Sequence, residues 1–182
     1  MTNSIIIQSS LIAIRLFNVL YSVLIFIPLR RLLLRAVGCN VGIGTGLHDG
    51  VRFSWMGRFS IGDHSTVNLG CFIDSRGGVS IGKNSMVGRQ SSIYTMSHDV
   101  NSANFASVRR SVSIGDNVVI FPHVLIMPGV SIGDNAIVYP GSVISRDIGP
   151  REIVAGAPAR VIGVRHNEVH YTLDYCFFFA NA

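Results

Sequence analysis

The chain has few cysteines and few charged side chains for its length. Its 182 residues include three cysteines, Cys39, Cys71 and Cys176, and no CxxC pair. An odd number without that spacing argues against a disulfide framework or a zinc knuckle and indicates buried, reduced thiols. Charged residues make up 14% of the chain and hydrophobic residues 48%, a balance that excludes an intrinsically disordered protein.

A continuous basic run is also missing. The formal net charge is +5, but the basic residues fall in separate groups: Arg30, Arg31 and Arg35, then residues 109–110, then residues 146–165. This distribution favours a membrane face and an anionic small ligand over a nucleic-acid groove, so we expect no nucleic-acid partner. The first group would then lie at anionic headgroups.

The apolar N-terminal stretch, residues 5–29, lacks the basic start and the small-residue cleavage site of a signal peptide. Its most apolar part, residues 19–28, is short for a membrane span, and Arg15 would be costly in a bilayer centre. We expect residues 1–38 to form a helical segment. Three arrangements remain open for it: contact with a membrane surface through residues 5–35, packing against the protein itself, or a true span.

A six-residue repeat dominates the rest of the chain. Every sixth residue from Ile114 is a β-branched aliphatic, and the same period appears upstream. A helix repeats near 3.6 residues and a simple strand at 2, so a period of six indicates one short strand plus a corner. Three such sides close a coil, which predicts an all-β fold, a parallel β-helix over residues 39–163. The repeat positions are Ile61, Val67, Ile73, then Ile81, Val87, Ile93, then Ile114, Ile120, Ile126, Ile132, Val138 and Ile144.

The period breaks once, between Ile93 and Ile114, which are 21 residues apart. The intervening segment lacks the aliphatic ladder, so we expect a loop that protrudes from a rigid scaffold, where functional residues tend to lie. Beyond the repeats, residues 164–182 are expected to form a short C-terminal helix or arm. It could dock on the N-terminal helix, on a neighbouring subunit or on lipid.

Three features together resemble the hexapeptide-repeat acyltransferases. They are the [IV]-G-x-x-x-x repeats, the segment Thr95-Met-Ser-His98-Asp, and the ending Ala155-Gly-Ala-Pro-Ala-Arg-Val-Ile. The branch that looks closest contains the maltose, galactoside and colanic-acid-type O-acetyltransferases, and the resemblance covers about residues 39–163. It implies a left-handed parallel β-helix and a homotrimer with active sites between subunits. It also implies acetyl-CoA as acyl donor, no metal, and a sugar hydroxyl as the usual acceptor.

The same resemblance implies roles for individual residues. His98 falls on the catalytic histidine, which as general base takes the proton of the acceptor hydroxyl, because imidazole titrates near neutrality. Asn68 falls on an acceptor-binding asparagine, and Asp74 would bind a sugar hydroxyl or steady the His98 ring. A plain corner Asn, a solvated corner acid and solvated arginines are the structural alternatives. The residues expected to bind the cofactor are Gly141, Ser145, Arg146, Ala155 and Arg160.

Two departures from the family pattern concern the thioester end of the site. One is Val119, which stands where the family has a tryptophan in this coil; the other comprises the two positions after Ile120. Phe121 and Pro122 occupy places where the family often has Gly followed by Ser or Ala, and proline has no N–H to act as an oxyanion donor. A γ-class carbonic anhydrase is excluded, because Ala103 replaces the second loop histidine that such an enzyme needs.

The sequence therefore predicts an acetyl-CoA-dependent O-acetyltransferase. Its acceptor would be a polysaccharide, a lipid-linked glycan or a small sugar. We expect a cytoplasmic location at the inner face of the plasma membrane. Two alternatives stay open: N-acetylation of an amino sugar or small amine, and a non-enzymatic trimeric scaffold.

Overall fold

The computed structural model of the chain describes residues 2–173, with side chains from residue 8 onward. It begins with two helices, α1 (Thr2–Val23) and α2 (Ile27–Ala36). Pro28 lies in the first turn of α2. Proline has no N–H to donate, and its ring clashes with the carbonyl four residues earlier, so a helix breaks before it. The apolar segment therefore forms two helices where the sequence predicts one.

Short strands follow and wind into five coils within the described residues, each coil with one strand on each of three faces. In chain order, the first three coils and the hairpin that follows them contain β1 (Asn40–Val41), β2 (Gly46–Leu47), β3 (Arg52–Phe53), β4 (Phe59–Ile61), β5 (Thr66–Val67), β6 (Phe72–Ile73), β7 (Val79–Ile81), β8 (Met86–Val87), β9 (Ser92–Ile93), β10 (Met96–His98) and β11 (Ser107–Arg109). The rest of the chain contains β12 (Val112–Ile114), β13 (Val119–Ile120), β14 (Leu125–Ile126), β15 (Ser131–Ile132), β16 (Ile137–Val138), β17 (Val143–Ile144), β18 (Glu152–Gly156) and β19 (Ala159–Val164).

Equivalent strands of successive coils pair in parallel and form three sheets. Sheet 1 has the order β1-β4-β7-β12-β15, and sheet 3 has the order β3-β6-β9-β14-β17. Sheet 2 runs β2-β5-β8-β13-β16 and is extended by β18 and the antiparallel β19. The three sheets enclose a triangular core, so the parallel β-helix predicted from the six-residue period is confirmed.

The register stacks the aliphatic side chains directly on one another. Ile81, for example, pairs with Ile61 on one side and with Ile114 on the other. The ladder is buried throughout; Ile120 and Ile126 are 0% exposed. Left-handed corner positions fall where the sequence places asparagine, with φ of 56° at Asn117 and 63° at Asn135. Asn adopts this region more readily than most residues, which is why it suits these corners.

The helices cover the N-terminal end of the β-helix. Phe17 and Tyr21 of α1 are buried, and their rings lie 6.0 and 5.7 Å from that of Phe53. The Asn18 side chain donates to the Phe53 carbonyl at 2.8 Å and accepts from the Phe53 N–H at 2.9 Å. The helices thus pack against the protein and protect an open end where strand groups would otherwise be unpaired. Among the residues that the structure describes, neither helix is long and apolar enough to cross a bilayer.

The sequence predicts that the arginines near α2 lie at lipid headgroups, but Arg30 lies in the interior of the protein. Arg30 is 0% exposed and pairs with Asp49. It also donates to the carbonyls of Leu24 and Leu47 and lies over the Tyr21 ring. The expectation for Arg30 was wrong because its partner lies 19 residues away in the sequence, where the local charge pattern gives no sign of it.

The described part of the C-terminal arm is neither helical nor docked on α1. Asn84 donates to the Tyr171 carbonyl at 2.8 Å and accepts from the Leu173 N–H at 2.7 Å, which holds the arm on a corner of the β-helix. Cys39 and Cys71 are buried, and burial raises the pKa of the Cys71 thiol to about 11, as expected of unreactive core cysteines. Cys176 and the aromatic residues that follow it lie outside the described residues.

Candidate active site

Turns that join sheet 3 to the next coil stack along one edge of the prism. We call this the hairpin edge, because β10 and β11 project from it after β9. The turns comprise residues 54–58, 74–78, 94–111, 127–130 and 145–147. Successive coils in such a stack are about 4.8 Å apart, so side chains from neighbouring turns can meet.

The broken period produces an antiparallel hairpin, more regular than the loop expected from sequence. Met96 pairs with Arg109, and His98 pairs with Ser107. At its base the Arg110 N–H donates to the Thr95 carbonyl at 2.9 Å. The hairpin therefore projects from a closed base, and His98 lies at the end of its first strand.

The His98 ring is exposed but held on two sides. Its Nε2 lies 3.3 Å from the Ser107 hydroxyl oxygen, and its ring stacks on Phe105 with centroids 4.4 Å apart and planes within 4°. The Asp99 carboxylate accepts the Asn101 N–H at 2.9 Å, and no carboxylate among the described residues bonds to the His98 ring. The contacts of Ser107 and Phe105 with His98 were not predicted, because the pairing of β10 with β11 follows no repeat in the sequence.

Asp74 lies beneath the base of the hairpin. Its side chain is 0% exposed and accepts from Ser54 at 2.5 Å and from Arg76 at 2.8 and 3.0 Å. The Thr95 N–H adds a contact at 3.3 Å, and the Thr95 hydroxyl donates to the Asp74 carbonyl at 2.7 Å. Burial raises the pKa of Asp74, but these bonds outweigh it and lower the pKa to about 2. The carboxylate is thus engaged within the chain and holds the residue that opens the hairpin; its role in substrate binding stays a prediction.

Replacing Asp74 with asparagine should lower the free energy of unfolding at pH 7 by about 2 kcal/mol, the free-energy equivalent of the lowered pKa. Because the pKa is about 2 in the folded chain against 3.8 ordinarily, the contribution is complete above about pH 4 and is lost as the pH falls towards 2. Urea denaturation at one protein concentration, at pH 7 and from pH 4 to 2, measures it. Asp99→Asn, on the exposed hairpin, is the control and should change stability by less than about 0.5 kcal/mol. Equal losses in both variants would contradict this role.

Two predicted site residues lie on a different edge. Asn68 and Gly141 both follow strands of sheet 2, in the turns that lead to sheet 3, which we call the sheet-2 edge. The Asn68 side chain donates to the Val87 carbonyl at 3.1 Å, and Gly141 adopts a left-handed φ of 68°. One side of the triangular prism separates this edge from His98, so a single chain does not bring Asn68 and His98 together.

The remaining predicted cofactor residues gather at the C-terminal end of the β-helix. Ser145 and Arg146, on the hairpin edge, line a pocket of about 260 Å³ together with Ala159. Ala155 and Arg160 are cross-strand partners on the adjoining β18–β19 hairpin. Both arginines are exposed. The arrangement offers small side chains and two cations, which suit an extended phosphorylated ligand.

At Phe121 and Pro122, on the sheet-2 edge, the backbone offers no free N–H that could stabilise an oxyanion. The Phe121 N–H already donates to the Val138 carbonyl at 2.9 Å, and Pro122 has no N–H.

Within residues 8–173, no three His, Cys, Asp or Glu side chains are grouped so that they could hold a metal ion.

The sequence and the fold of the chain are similar to those of known proteins. Residues 111–146 match the family described as bacterial transferase hexapeptide (six repeats). Galactoside O-acetyltransferase of Escherichia coli is 32% identical over 146 residues, which cover 78% of this chain and 72% of that protein. A maltose O-acetyltransferase structure from Clostridium difficile superposes with a TM-score of 0.81 at 27% identity, covering 89% of each chain. A hexapeptide-repeat acetyltransferase from Vibrio cholerae, solved with acetyl coenzyme A, shares the fold with a TM-score of 0.81 at 22% identity, covering 88% of this chain and 90% of that one.

Proposed function

Because the chain belongs to the hexapeptide-repeat transferases and is an acetyltransferase with their left-handed parallel β-helix, we propose that it acetylates a saccharide hydroxyl with acetyl-CoA as donor. His98 is the general base. The proposal rests on the placement of His98, which is exposed on the hairpin and held by Ser107 and Phe105. A histidine so held is available to a substrate and keeps a defined orientation.

His98 removes the proton from the acceptor hydroxyl as the oxygen bonds to the thioester carbonyl carbon. The same histidine returns that proton to the sulfur as the carbon–sulfur bond breaks, so the products are a sugar acetate ester and free CoA. Acetyl-CoA supplies an activated acyl group. No covalent enzyme intermediate is needed, because both substrates bind together and the proton passes through one residue.

We place the donor along the C-terminal end of the β-helix. Ser145 and Ala155 would allow close approach of the pantetheine chain, with Gly141 from the sheet-2 edge of the adjacent subunit, while Arg146 and Arg160 would bind phosphates. The 260 Å³ pocket beside Arg146 supports this placement. The bound acetyl coenzyme A of the Vibrio cholerae acetyltransferase supports the choice of donor.

Arg146→Gln should raise the KM for acetyl-CoA about tenfold or more, because a charge-assisted bond to phosphate contributes about 1.5–3 kcal/mol. The kcat should change far less, since Arg146 is remote from the reacting atoms. Initial rates at varied acetyl-CoA measure both constants. Lys83→Gln removes one positive charge from an exposed side chain on another corner and should leave the KM unchanged; an equal rise in that variant would indicate a general charge effect.

We place the active sites between subunits of a homotrimer. A site that uses both Asn68 and His98 needs the hairpin edge of one subunit to face the sheet-2 edge of the next, since one chain keeps these residues on separate edges. A head-to-tail contact of that kind closes into a ring, and three copies form the smallest ring above a dimer.

N-acetylation of an amino sugar is the competing activity. Release of CoA can be compared for a set of glycosides and the matching 2-amino-2-deoxy glycosides. We expect release of CoA with glycosides that carry hydroxyl groups and no amino group. Release restricted to the amino sugars would reject O-acetylation and establish the alternative.

We also place the chain in the cytoplasm, with α1 and α2 against the inner face of the plasma membrane. Large apolar side chains remain exposed on these helices, and Arg15 is exposed among them, as in helices that lie in the interface of anionic membranes. Co-sedimentation with phosphatidylserine vesicles checks the contact, and absence of binding would refute it. The exposed apolar residues of the two helices and of their connection are Leu11, Ile12, Leu16, Val19, Leu20, Val23, Ile25, Phe26, Leu29 and Leu32.

A further inference from the structure

Beside the base of the hairpin lies a small pocket with an unusual lining. Trp55, Arg58, Arg76 and Arg109 surround a space of about 90 Å³. They come from three successive turns of the hairpin edge: residues 54–58, 74–78 and the hairpin itself. Residues distant in sequence thus place three arginines and a tryptophan around one cavity. We call these four residues the arginine pocket.

The positive charges of the arginine pocket are only partly balanced. Arg76 is bonded to the buried Asp74 through Nε and Nη2. Arg58 donates to the Arg76 carbonyl at 2.9 Å, a neutral acceptor. Within residues 8–173, neither Arg58 nor Arg109 forms an ion pair. Two cations therefore face the cavity in excess, an arrangement that attracts an anion.

The size of the cavity limits what can enter it. One water molecule occupies about 30 Å³ of liquid, so 90 Å³ holds about three. That volume accommodates a carboxylate or a phosphate group but not a whole sugar ring. The ring of a saccharide would lie outside, where the Trp55 indole, 41% exposed, offers a flat apolar face.

The arginine pocket lies on the same face of the hairpin as His98. Arg109 is two residues from Ser107, the cross-strand partner of His98, and alternate residues of a strand share a face. Diagonal neighbours on one face of an antiparallel pair are about 7–8 Å apart. A group bound at Arg109 is therefore about one sugar residue away from the base.

We propose that the arginine pocket binds the anionic group of the acceptor, so that the enzyme acetylates acidic saccharides. The inference rests on the proposed function, since it identifies the acceptor of that reaction. The anionic group is the carboxylate of a uronic acid or a phosphate on the sugar; both make bidentate bonds to arginine.

Trp55 provides a direct measurement, because it is the only tryptophan in the chain. Its fluorescence is titrated with methyl β-glucuronide, glucose 6-phosphate and neutral methyl β-glucoside. We expect a saturable change with an anionic sugar and binding at least about tenfold weaker for the neutral one, as for loss of a charge-assisted contact. A stronger response to the glucuronide identifies a uronic acid acceptor, and a stronger response to the phosphate identifies a phosphorylated one.

Arg58→Gln and Arg109→Gln should each raise the Kd of the preferred anionic sugar about tenfold, while Arg109→Lys should retain most of the affinity because it keeps the charge. Lys83→Gln is the control for net charge and should bind normally. Thermal unfolding of each variant confirms that it folds. Equal binding of charged and neutral sugars, or an equal loss in Lys83→Gln, would overturn the inference.

The acceptor inference and the proposed function can fail separately. Selective binding of an anionic sugar at Trp55 without acetyl transfer to it would support the pocket and reject the reaction. Equal rates of acetylation for the glucuronide and the glucoside, with no effect of Arg109→Gln on either, would leave the reaction standing and reject the pocket.

Discussion

Replacing His98 with alanine is expected to lower the kcat for acetyl transfer by about 100- to 10,000-fold, the usual contribution of a general base. A sugar hydroxyl is a weak nucleophile until its proton is removed, and no other titratable side chain among the described residues contacts the His98 ring. Acetyl-CoA should bind to the variant with unchanged Kd, because its proposed contacts lie at Arg146 and Arg160. Steady-state rates and calorimetry measure the two quantities.

His170→Ala is the matched control, since His170 is exposed on the C-terminal arm. It should transfer acetyl groups at the wild-type rate. Ser107→Ala, which removes the hydroxyl 3.3 Å from Nε2, should give an intermediate loss of kcat that reflects orientation alone. Undiminished transfer by His98→Ala would end the assignment of His98 as base.

Trimers that combine two impaired variants should regain activity. His98→Ala chains lack the base, and Asn68→Ala chains should lose about tenfold or more in kcat/KM through a missing acceptor contact. If a site takes His98 from one subunit and Asn68 from the next, some sites in a mixed trimer are intact. In a cyclic trimer that contains both variants, about one site in three is intact, whichever variant is present twice.

Co-expression with two affinity tags isolates the mixed trimers, and their rate is compared with that of each variant alone. The double variant His98→Ala/Asn68→Ala, co-expressed with wild type, is the control, because it separates dilution of sites from their reconstitution. Mixed trimers no more active than Asn68→Ala alone would show that a site does not take His98 and Asn68 from different subunits.

The repetitive parts of this fold could be predicted from the sequence, because they follow from local periodicity. A coil needs an aliphatic side chain every sixth residue, and Ile114 to Ile144 meet that requirement without exception. Corner residues such as Asn117 could also be predicted, since a left-handed turn restricts the side chains it accepts. The break after Ile93 located the hairpin for the same reason.

The missed features all depend on contacts between distant residues. Arg30 looked like part of a basic surface, yet Asp49 pairs with it in the interior. A solvated corner acid was the structural alternative for Asp74, yet coiling buries its carboxylate and places Ser54 and Thr95 on either side of it. The arginine pocket draws on three turns whose sequences share no repeat. No local pattern encodes such contacts, because the height of each coil and the register of the hairpin decide them.

The chemical identity of the product decides whether the chain transfers acetyl groups to a sugar oxygen. The wild-type protein is incubated with acetyl-CoA labelled with ¹³C in the acetyl group and a glycoside acceptor, and the mixture is followed by NMR. We expect an acetate ester on a sugar oxygen, formed in equal amount with free CoA and absent with His98→Ala. Label that appears only as free acetate, or only as an amide on amino sugars, would contradict it.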